Sequence, residues 1–222
     1  MSGWLLARVI VAALWLGTVL GAMPARADGL QSLEQFMRSA ASGRAEFTQV
    51  VTAPAREGQA ARQRTSSGSF EFLRPNRFKF VYRKPFEQTI VADGQTLWLY
   101  DVDLNQVSAR SQAQALGSTP AALIAAAADL QALKADFTLE PQADAQGLQW
   151  VLARPRARDS QLQSIRVGFR LQAAVPELAA LEIADAFGQR SSLSFSRVEV
   201  NPRLSPDLFR FQPPKGADVI RQ

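Results

Sequence analysis

The chain is 222 residues long, 47% of them hydrophobic, and carries a formal net charge of +5. It contains no cysteine and no histidine, which excludes disulfides, Ser-His-Asp and Cys-His nucleophile systems, and zinc sites built on His or Cys. The length predicts one domain with a single sizeable apolar core, and the small positive charge does not favour nucleic-acid binding.

The first 27 residues have the pattern of a secretory signal peptide. Arg8 gives a basic start, Val9 to Leu20 is almost entirely apolar, and Ala25-Arg26-Ala27 has the small-x-small form that signal peptidase accepts. The apolar run is shorter than the roughly 20 residues that a membrane-spanning helix needs. We therefore expect residues 1–27 to be cleaved and residues 28–222 to form one domain, with an uncleaved membrane anchor as the alternative.

A helix and a strand are predicted next. Apolar residues, including Leu33 and Phe36, recur at three- and four-residue spacing, which predicts a helix from Leu30 to Ala41. From Arg44 to Thr52 the period is two, which predicts a strand. Residues 53–66 are rich in Ala, Arg, Gln and Gly, and we expect a solvated loop or a flexible hairpin there.

The clearest β signal lies between residues 70 and 110. Phe70 and Phe72 alternate before an Arg74-Pro75-Asn76 turn, and Phe78, Phe80 and Tyr82 alternate after it. Asp93-Gly94 is a strong hairpin signal, and the further strands predicted here are Thr89–Ala92, Thr96–Tyr100 and Gln106–Arg110.

A second helical stretch interrupts the strands. Ser118-Thr119-Pro120 offers a hydroxyl cap and a proline at the first helical position, which predicts a helix that carries Leu123 and Ile124 and runs to Ala128. Leu130–Lys134 adds a further turn of helix. Strands then resume, and the predicted segments are Phe137–Pro141, Leu148–Ala153, Ser164–Leu171, Ala180–Ala184, Ser191–Val200 and Leu208–Gln212.

About ten or eleven strands with a few short helices indicate an α+β fold. A large antiparallel sheet tends to coil, and helices with one apolar face need a surface to cover. The sequence therefore predicts an unclosed antiparallel β-barrel whose concave side is capped by a helical lid.

The acidic residues offer weak evidence for a metal or a catalytic site. Asp101-x-Asp103-x-Asn105 begins like a calcium loop, but Gln106 and Gln112 stand where such a loop needs glycine and glutamate, so an acidic hairpin turn is favoured. The other carboxylates are scattered, and nothing in the sequence pairs two of them as glycoside hydrolysis requires. We predict no metal, no cofactor and no enzymatic activity, although carboxylate-pair and Ser-Lys chemistry stay open.

The alternating apolar residues are the positive evidence. They either line a cavity for acyl chains or fill an ordinary core, and the spacing alone favours the packed core. The residues concerned are Phe70, Phe72, Phe78, Phe80, Leu97, Trp98, Leu99 and Trp150.

Several motifs resemble the outer-membrane lipoprotein carrier family, LolA. They occur in order across nearly the whole mature chain, beginning with Phe47-Thr48-Gln49. The others are Phe72-Leu73-Arg74-Pro75-Asn76-Arg77-Phe78, Asp93-Gly94-Gln95-Thr96-Leu97-Trp98-Leu99-Tyr100, Gly117-Ser118-Thr119-Pro120 with Leu123-Ile124-Ala125, and Phe209-Arg210-Phe211-Gln212-Pro213-Pro214-Lys215-Gly216.

The resemblance implies an unclosed barrel with an apolar cavity under a helical lid. It also implies a monomeric carrier in the Gram-negative periplasm that accepts lipoproteins from an ATP-driven inner-membrane complex (LolCDE) and delivers them to an outer-membrane receptor (LolB). The receptor is lipidated through an N-terminal cysteine, so this cysteine-free sequence resembles the carrier.

The resemblance also suggests site residues. The arginine of the family's Arg-Pro-Asn turn matches Arg74 and would hold the lid shut, and the apolar residue two after the asparagine matches Phe78. The candidate lipid-contacting and lid residues are Arg74, Phe70, Phe72, Phe78, Phe80, Trp98, Leu123, Ile124, Leu33 and Phe36.

The sequence therefore supports two candidate functions. The first is a lipoprotein carrier that shelters acyl chains in transit. The second is a LolA-like lipid-binding or envelope-sensing module, which would need a further domain or a membrane tether.

Overall fold

The computed structural model describes residues 28–55, 58, 60–115, 127, 129–158, 160–171 and 175–222. The predicted signal peptide lies outside the described residues. So does most of the helix predicted from Ser118, including Leu123 and Ile124.

Three α-helices are described: α1 (Gly29–Ser39), α2 (Gln112–Ala115) and α3 (Leu130–Asp136), and Pro206–Phe209 forms a 3-10 helix. The side chain of Asp28 caps α1 by accepting a hydrogen bond from the backbone N–H of Gln31 at 2.9 Å. None of these described helices is long and apolar enough to cross a membrane.

Twelve strands form one sheet. Their bounds are β1 Ser42–Thr52, β2 Gln63–Leu73, β3 Arg77–Lys84, β4 Gln88–Ala92, β5 Thr96–Asp101, β6 Gln106–Ser111, β7 Phe137–Ala145, β8 Leu148–Pro155, β9 Leu162–Arg170, β10 Glu177–Asp185, β11 Arg190–Val200 and β12 Asp218–Arg221. The order across the sheet is β12-β6-β5-β4-β3-β2-β1-β11-β10-β9-β8-β7. Neighbours are antiparallel except β12, which runs parallel to β6.

The sheet curls around α1 without closing. The ring of Phe36 on α1 lies 6.0 Å from the ring of Phe72 on β2 and 5.5 Å from that of Phe169 on β9. Those two strands are four places apart in the sheet, roughly 19 Å if the sheet were flat, so one side chain reaches both only because the sheet is concave. In the part of the chain that the structure describes, edge strands β7 and β12 do not pair, which confirms the unclosed barrel with a helix over its inner face.

The boundaries of α1 and β1 differ slightly from the prediction. The helix ends at Ser39, and β1 begins at Ser42. Asn201 explains the early end, because its Oδ1 accepts a hydrogen bond from the N–H of Ala41 at 2.8 Å and its Nδ2 donates to the carbonyl of Ser39 at 2.8 Å.

Two predictions near loops were wrong. Residues 63–66 belong to β2, where they pair with the end of β1 although their sequence is polar. Leu208–Gln212 is not a strand, since a hydroxyl of Ser205 caps the 3-10 helix Pro206–Phe209 there. The last strand is instead Asp218–Arg221, and the total is twelve.

Candidate functional site

Aromatic side chains fill the inner face of the sheet. The rings of Phe70 and Phe80 are stacked with centroids 4.4 Å apart, and the ring of Phe47 meets that of Phe80 edge to face at 5.5 Å. Phe195 lies 5.7 Å from Phe70. Phe72 and Phe78 belong to the same buried cluster. The structure thus brings all four predicted phenylalanines of β2 and β3 together, and adds Phe47 and Phe195.

Helix α1 covers this cluster from one side. Leu33 and Phe36 of this helix, two of the candidate lipid-contacting or lid residues, are buried in the cluster. The helix sits directly on β8, because a Cβ at Gly29 would lie 2.2 Å from the carbonyl oxygen of Trp150. The hydroxyl of Ser32 also donates a hydrogen bond to Oε1 of Gln149 at 2.5 Å.

Arg74 joins three parts of the molecule at the turn between β2 and β3. Its Nε donates to the carbonyl of Ala40 at 2.8 Å, and its Nη1 donates to the carbonyl of Ala127. The guanidinium also lies 5.4 Å from the ring centres of Phe36 and Phe72. We call the contacts of Arg74 with Ala40 and Ala127 the lid latch.

Burial lowers the pKa of Arg74 to about 10, because the guanidinium loses water that would solvate its charge. The side chain is still protonated at neutral pH. It therefore keeps its N–H donors, and two of them bond to the carbonyls of Ala40, after the end of α1, and of Ala127.

Trp98 does not join the inner cluster. Leu97 is part of that cluster, so the alternation of β5 turns Trp98 to the opposite face. There the indole Nε1 donates to Oδ2 of Asp93 at 3.0 Å, and the ring lies 5.5 Å from Phe211. Trp150 is likewise on the outer face, with the guanidinium of Arg166 4.5 Å from its ring centre.

Among the residues that the structure describes, buried side chains pack closely on the inner face. A void of about 20 Å³ lies beside Phe36, Phe70 and Phe72, which is close to the space that one water molecule needs. An acyl chain would not fit in this void, so binding there would need these side chains or the helix above them to move.

A row of hydrogen-bonded polar side chains lies on the inner face, and the sequence did not predict that they bond to one another. The hydroxyl of Tyr82 donates to Oε1 of Gln49 at 3.0 Å, and Nε2 of Gln49 donates to the hydroxyl of Ser191 at 2.7 Å. The available signal was the alternation itself, because Gln49 and Tyr82 lie two residues after Phe47 and Phe80.

The Asp101–Asn105 segment forms the hairpin turn between β5 and β6. The carboxylate of Asp101 accepts a hydrogen bond from the N–H of Leu104 at 3.1 Å. Among the described residues, no three Asp or Glu side chains come together as metal ligands would.

A family model for the outer membrane lipoprotein carrier protein LolA matches residues 38–212. The chain belongs to the LolA family. It is 70% identical over 198 residues to an outer-membrane lipoprotein carrier protein of Albidiferax ferrireducens, covering 89% of this chain and 93% of that relative. It is 52% identical to the carrier protein of Methylibium petroleiphilum, covering 94% of this chain and 97% of that one.

The LolA-family fold also occurs at low sequence identity. An uncharacterized conserved protein from Thermus thermophilus has a TM-score of 0.50 to this chain, with 14% identity, and the match covers 87% of this chain and 97% of that one. This likeness concerns the fold alone.

Proposed function

We propose that this LolA-family chain carries lipoproteins, with their acyl chains held on the inner face of the sheet beneath the lid. The lid latch carries the proposal. Arg74 is a half-buried cation that bonds to the end of α1 and to Ala127, directly above an apolar aromatic interior. Hydrogen bonds of this kind can break and re-form, as the cover of the interior would have to do when cargo enters and leaves.

The proposal extends to the place of action and the partners. Residues 1–27 would direct export to the periplasm as a cleaved signal peptide. The mature monomer would accept lipoproteins from the LolCDE complex and deliver them to the LolB receptor. The support is the family resemblance together with the sequence pattern of the leader.

The energetics of the cargo set what the inner face must provide. Each buried methylene group is worth about 0.8 kcal/mol, so about 48 such groups in a triacylated lipoprotein represent on the order of 40 kcal/mol against water. The carrier must approach this figure to compete with the membrane, and it must bind less tightly than the receptor. An interior that opens for cargo and packs on itself without cargo satisfies both demands. When it closes, its side chains regain contacts with one another, and this gain favours release of the cargo.

The test is release of lipoproteins from spheroplasts. Purified residues 28–222, added to spheroplasts that have accumulated a newly made outer-membrane lipoprotein, should bring that lipoprotein into the supernatant in a complex with the chain. The same amount of heat-unfolded chain serves as the control. Release no greater than with this control would contradict the proposal.

A further inference from the structure

Along strands β1 and β3, the inward-facing residues change from aromatic to hydrogen-bonding. Two residues beyond Phe47 the inward residue of β1 is Gln49, and two residues beyond Phe80 the inward residue of β3 is Tyr82. With Ser191 of β11 these side chains form the hydrogen-bonded row described above. The row separates the aromatic interior from the end of the half-barrel that lies farthest from the lid latch.

Beyond the row lies an open pocket of about 470 Å³. Its position follows from the register, since Ser42 pairs with Leu73 next to the latch, whereas Val51 pairs with Arg64 beside the pocket. The two ends are roughly 30 Å apart along the strand. The lining residues are Gln49, Val51, Arg64, Ser66, Tyr82, Pro85, Phe86, Gln88, Asp101, Asp103 and Leu104.

The pocket is lined by both polar and apolar side chains. Arg64, Ser66 and Gln88 supply hydrogen-bond donors, and Asp101 and Asp103 supply acceptors. Among its apolar residues, Phe86 is 57% exposed and Leu104 is 70% exposed. The guanidinium of Arg64 lies 5.9 Å from the ring centre of Phe86. This volume is within the range of ordinary ligand sites, and its chemistry differs from that of the aromatic interior.

We infer that this pocket binds the polar head of the cargo: the ester and amide groups of an acylated N-terminal cysteine and the first peptide units after it. The inference rests on the proposed function. Acyl chains extend from this head into the aromatic interior, and the peptide leaves between Phe86 and Leu104. The row of Tyr82 and Gln49 lies where the apolar chains meet the polar head.

The donors of the row suit ester and amide carbonyls. Carbonyl oxygens only accept hydrogen bonds. Gln49 has a second amide N–H to donate, Arg64 beside the row has guanidinium N–H groups, and the hydroxyl of Tyr82 can donate to the ligand by turning from Oε1 of Gln49. Burial raises the pKa of Tyr82 to about 12, so its hydroxyl keeps its proton at neutral pH and remains a donor. The carboxylates of Asp101 and Asp103 can in turn accept from the N–H groups of a departing peptide.

The test compares two probes that share acyl chains and differ in the head. One is a synthetic peptide with a triacylated S-glyceryl cysteine at its N-terminus, and the other is palmitate, both used below their aggregation concentrations. We expect Tyr82→Phe and Gln49→Leu each to weaken binding of the lipopeptide about five- to tenfold and to change palmitate binding less than twofold. Tyr100→Phe makes the same chemical change on the outer face, where Tyr100 packs against Phe211, and should alter neither.

A pocket-filling variant supplies a second arm. Ser66→Trp places an indole in the pocket without touching the aromatic interior and should weaken lipopeptide binding more than tenfold while palmitate still binds. Thermal unfolding of every variant checks that the fold is kept. Equal losses for both probes, or no loss for the lipopeptide, would overturn the inference and leave the carrier function intact. If the unmodified chain binds neither probe, the proposed function fails as well.

Discussion

Burial of the Arg74 guanidinium is unfavourable in free energy, because the half-buried charge loses water, as its lowered pKa reflects. What offsets this cost is the set of contacts that Arg74 makes in this structure: the carbonyls of Ala40 and Ala127 and the rings of Phe36 and Phe72. Hydrogen bonds to charged groups contribute about 1.5–3 kcal/mol each. The latch therefore stabilises the empty, closed state relative to any state in which cargo has displaced the lid.

The first prediction concerns Arg74→Leu. If cargo displaces the contacts of Arg74 with Phe36 and Ala127, their removal should make the loaded state relatively more stable, by about tenfold in cargo affinity, since about 1.4 kcal/mol corresponds to a factor of ten. We expect loading to persist and transfer to the receptor to fail in a reconstituted release-and-transfer assay. Arg74→Lys keeps the charge and loses the planar guanidinium, so its transfer rate should lie between those of the unmodified chain and of Arg74→Leu. Transfer at the unmodified rate by Arg74→Leu would remove Arg74 from the mechanism.

The second prediction concerns the ionisation of Tyr82. The chain has two tyrosines, so Tyr100→Phe leaves the phenol of Tyr82 as the only one to titrate. Its pKa is raised to about 12 by burial, against about 10 for an unperturbed phenol. Because the folded state holds the proton more tightly, Tyr82 contributes stability below pH 10 that is lost as the pH rises towards 12. Ultraviolet titration of the folded variant should give a midpoint near 12, and a midpoint near 10 would show that Tyr82 is not buried.

For Trp98, the sequence could predict which face of the sheet the side chain lies on, but not which residues it contacts. The family motif places Leu97, Trp98 and Leu99 side by side, yet adjacent residues of a strand point to opposite faces. The alternation thus already separated Trp98 from its neighbours, whereas the bond from its indole to Asp93 and its contact with Phe211 depend on the chain 113 residues later. Sequence could assign the face but not the partners.

At the scale of elements, the strands that carry large inward residues were predictable and the polar ones were not. The phenylalanines of β2 and β3 show the two-residue period of a strand in the sequence, because one side of each strand is buried in the aromatic cluster. The first residues of β2 extend past the apolar core, so their alternation carries no hydrophobic signal. Strand β12 has four residues and pairs in parallel with β6, with Asn105 donating to the carbonyl of Gly216 at 2.9 Å. Such a tertiary partner leaves no trace in local periodicity.

The third prediction tests how α1 is seated. Gly29 lies where a Cβ would meet the carbonyl oxygen of Trp150 at 2.2 Å, so Gly29→Ala must push the start of α1 away from β8. We expect the free energy of unfolding to fall by about 1–3 kcal/mol, despite a helix-propensity gain of up to about 1 kcal/mol.

Denaturant unfolding measures this change in stability, and Gln31→Ala is its control. Gln31 is exposed in the same first turn of α1, and a substitution at such a site should change stability by less than about 0.5 kcal/mol. Unchanged or higher stability of Gly29→Ala would show that α1 does not rest on β8 as the structure has it.

At the scale of the whole molecule, a single curved sheet offers two chemically different faces. Among the described residues, the inner face is aromatic, closely packed and covered by α1, and a void of about 20 Å³ lies beside Phe36. The outer face carries charged pairs such as Arg166 with Glu182, whose Nη1 and Oε2 are 2.5 Å apart. Uptake of acyl chains must therefore exchange the contacts of the closed interior for contacts with the cargo. The sequence predicted the apolar face and a helix over it, but not how closely the described side chains of that face pack, since packing between distant strands decides that.

The central claim is that acyl chains bind on the inner face beneath the lid. The most direct measurement places a photoreactive phenylalanine analogue at Phe70, in the inner cluster, or at Trp98, on the outer face of the same sheet. Each variant is loaded with a lipoprotein whose acyl chains are radiolabelled, and the complex is irradiated. We predict that the label becomes attached to the chain at Phe70 and not at Trp98. Attachment at Trp98, with none at Phe70, would contradict the account.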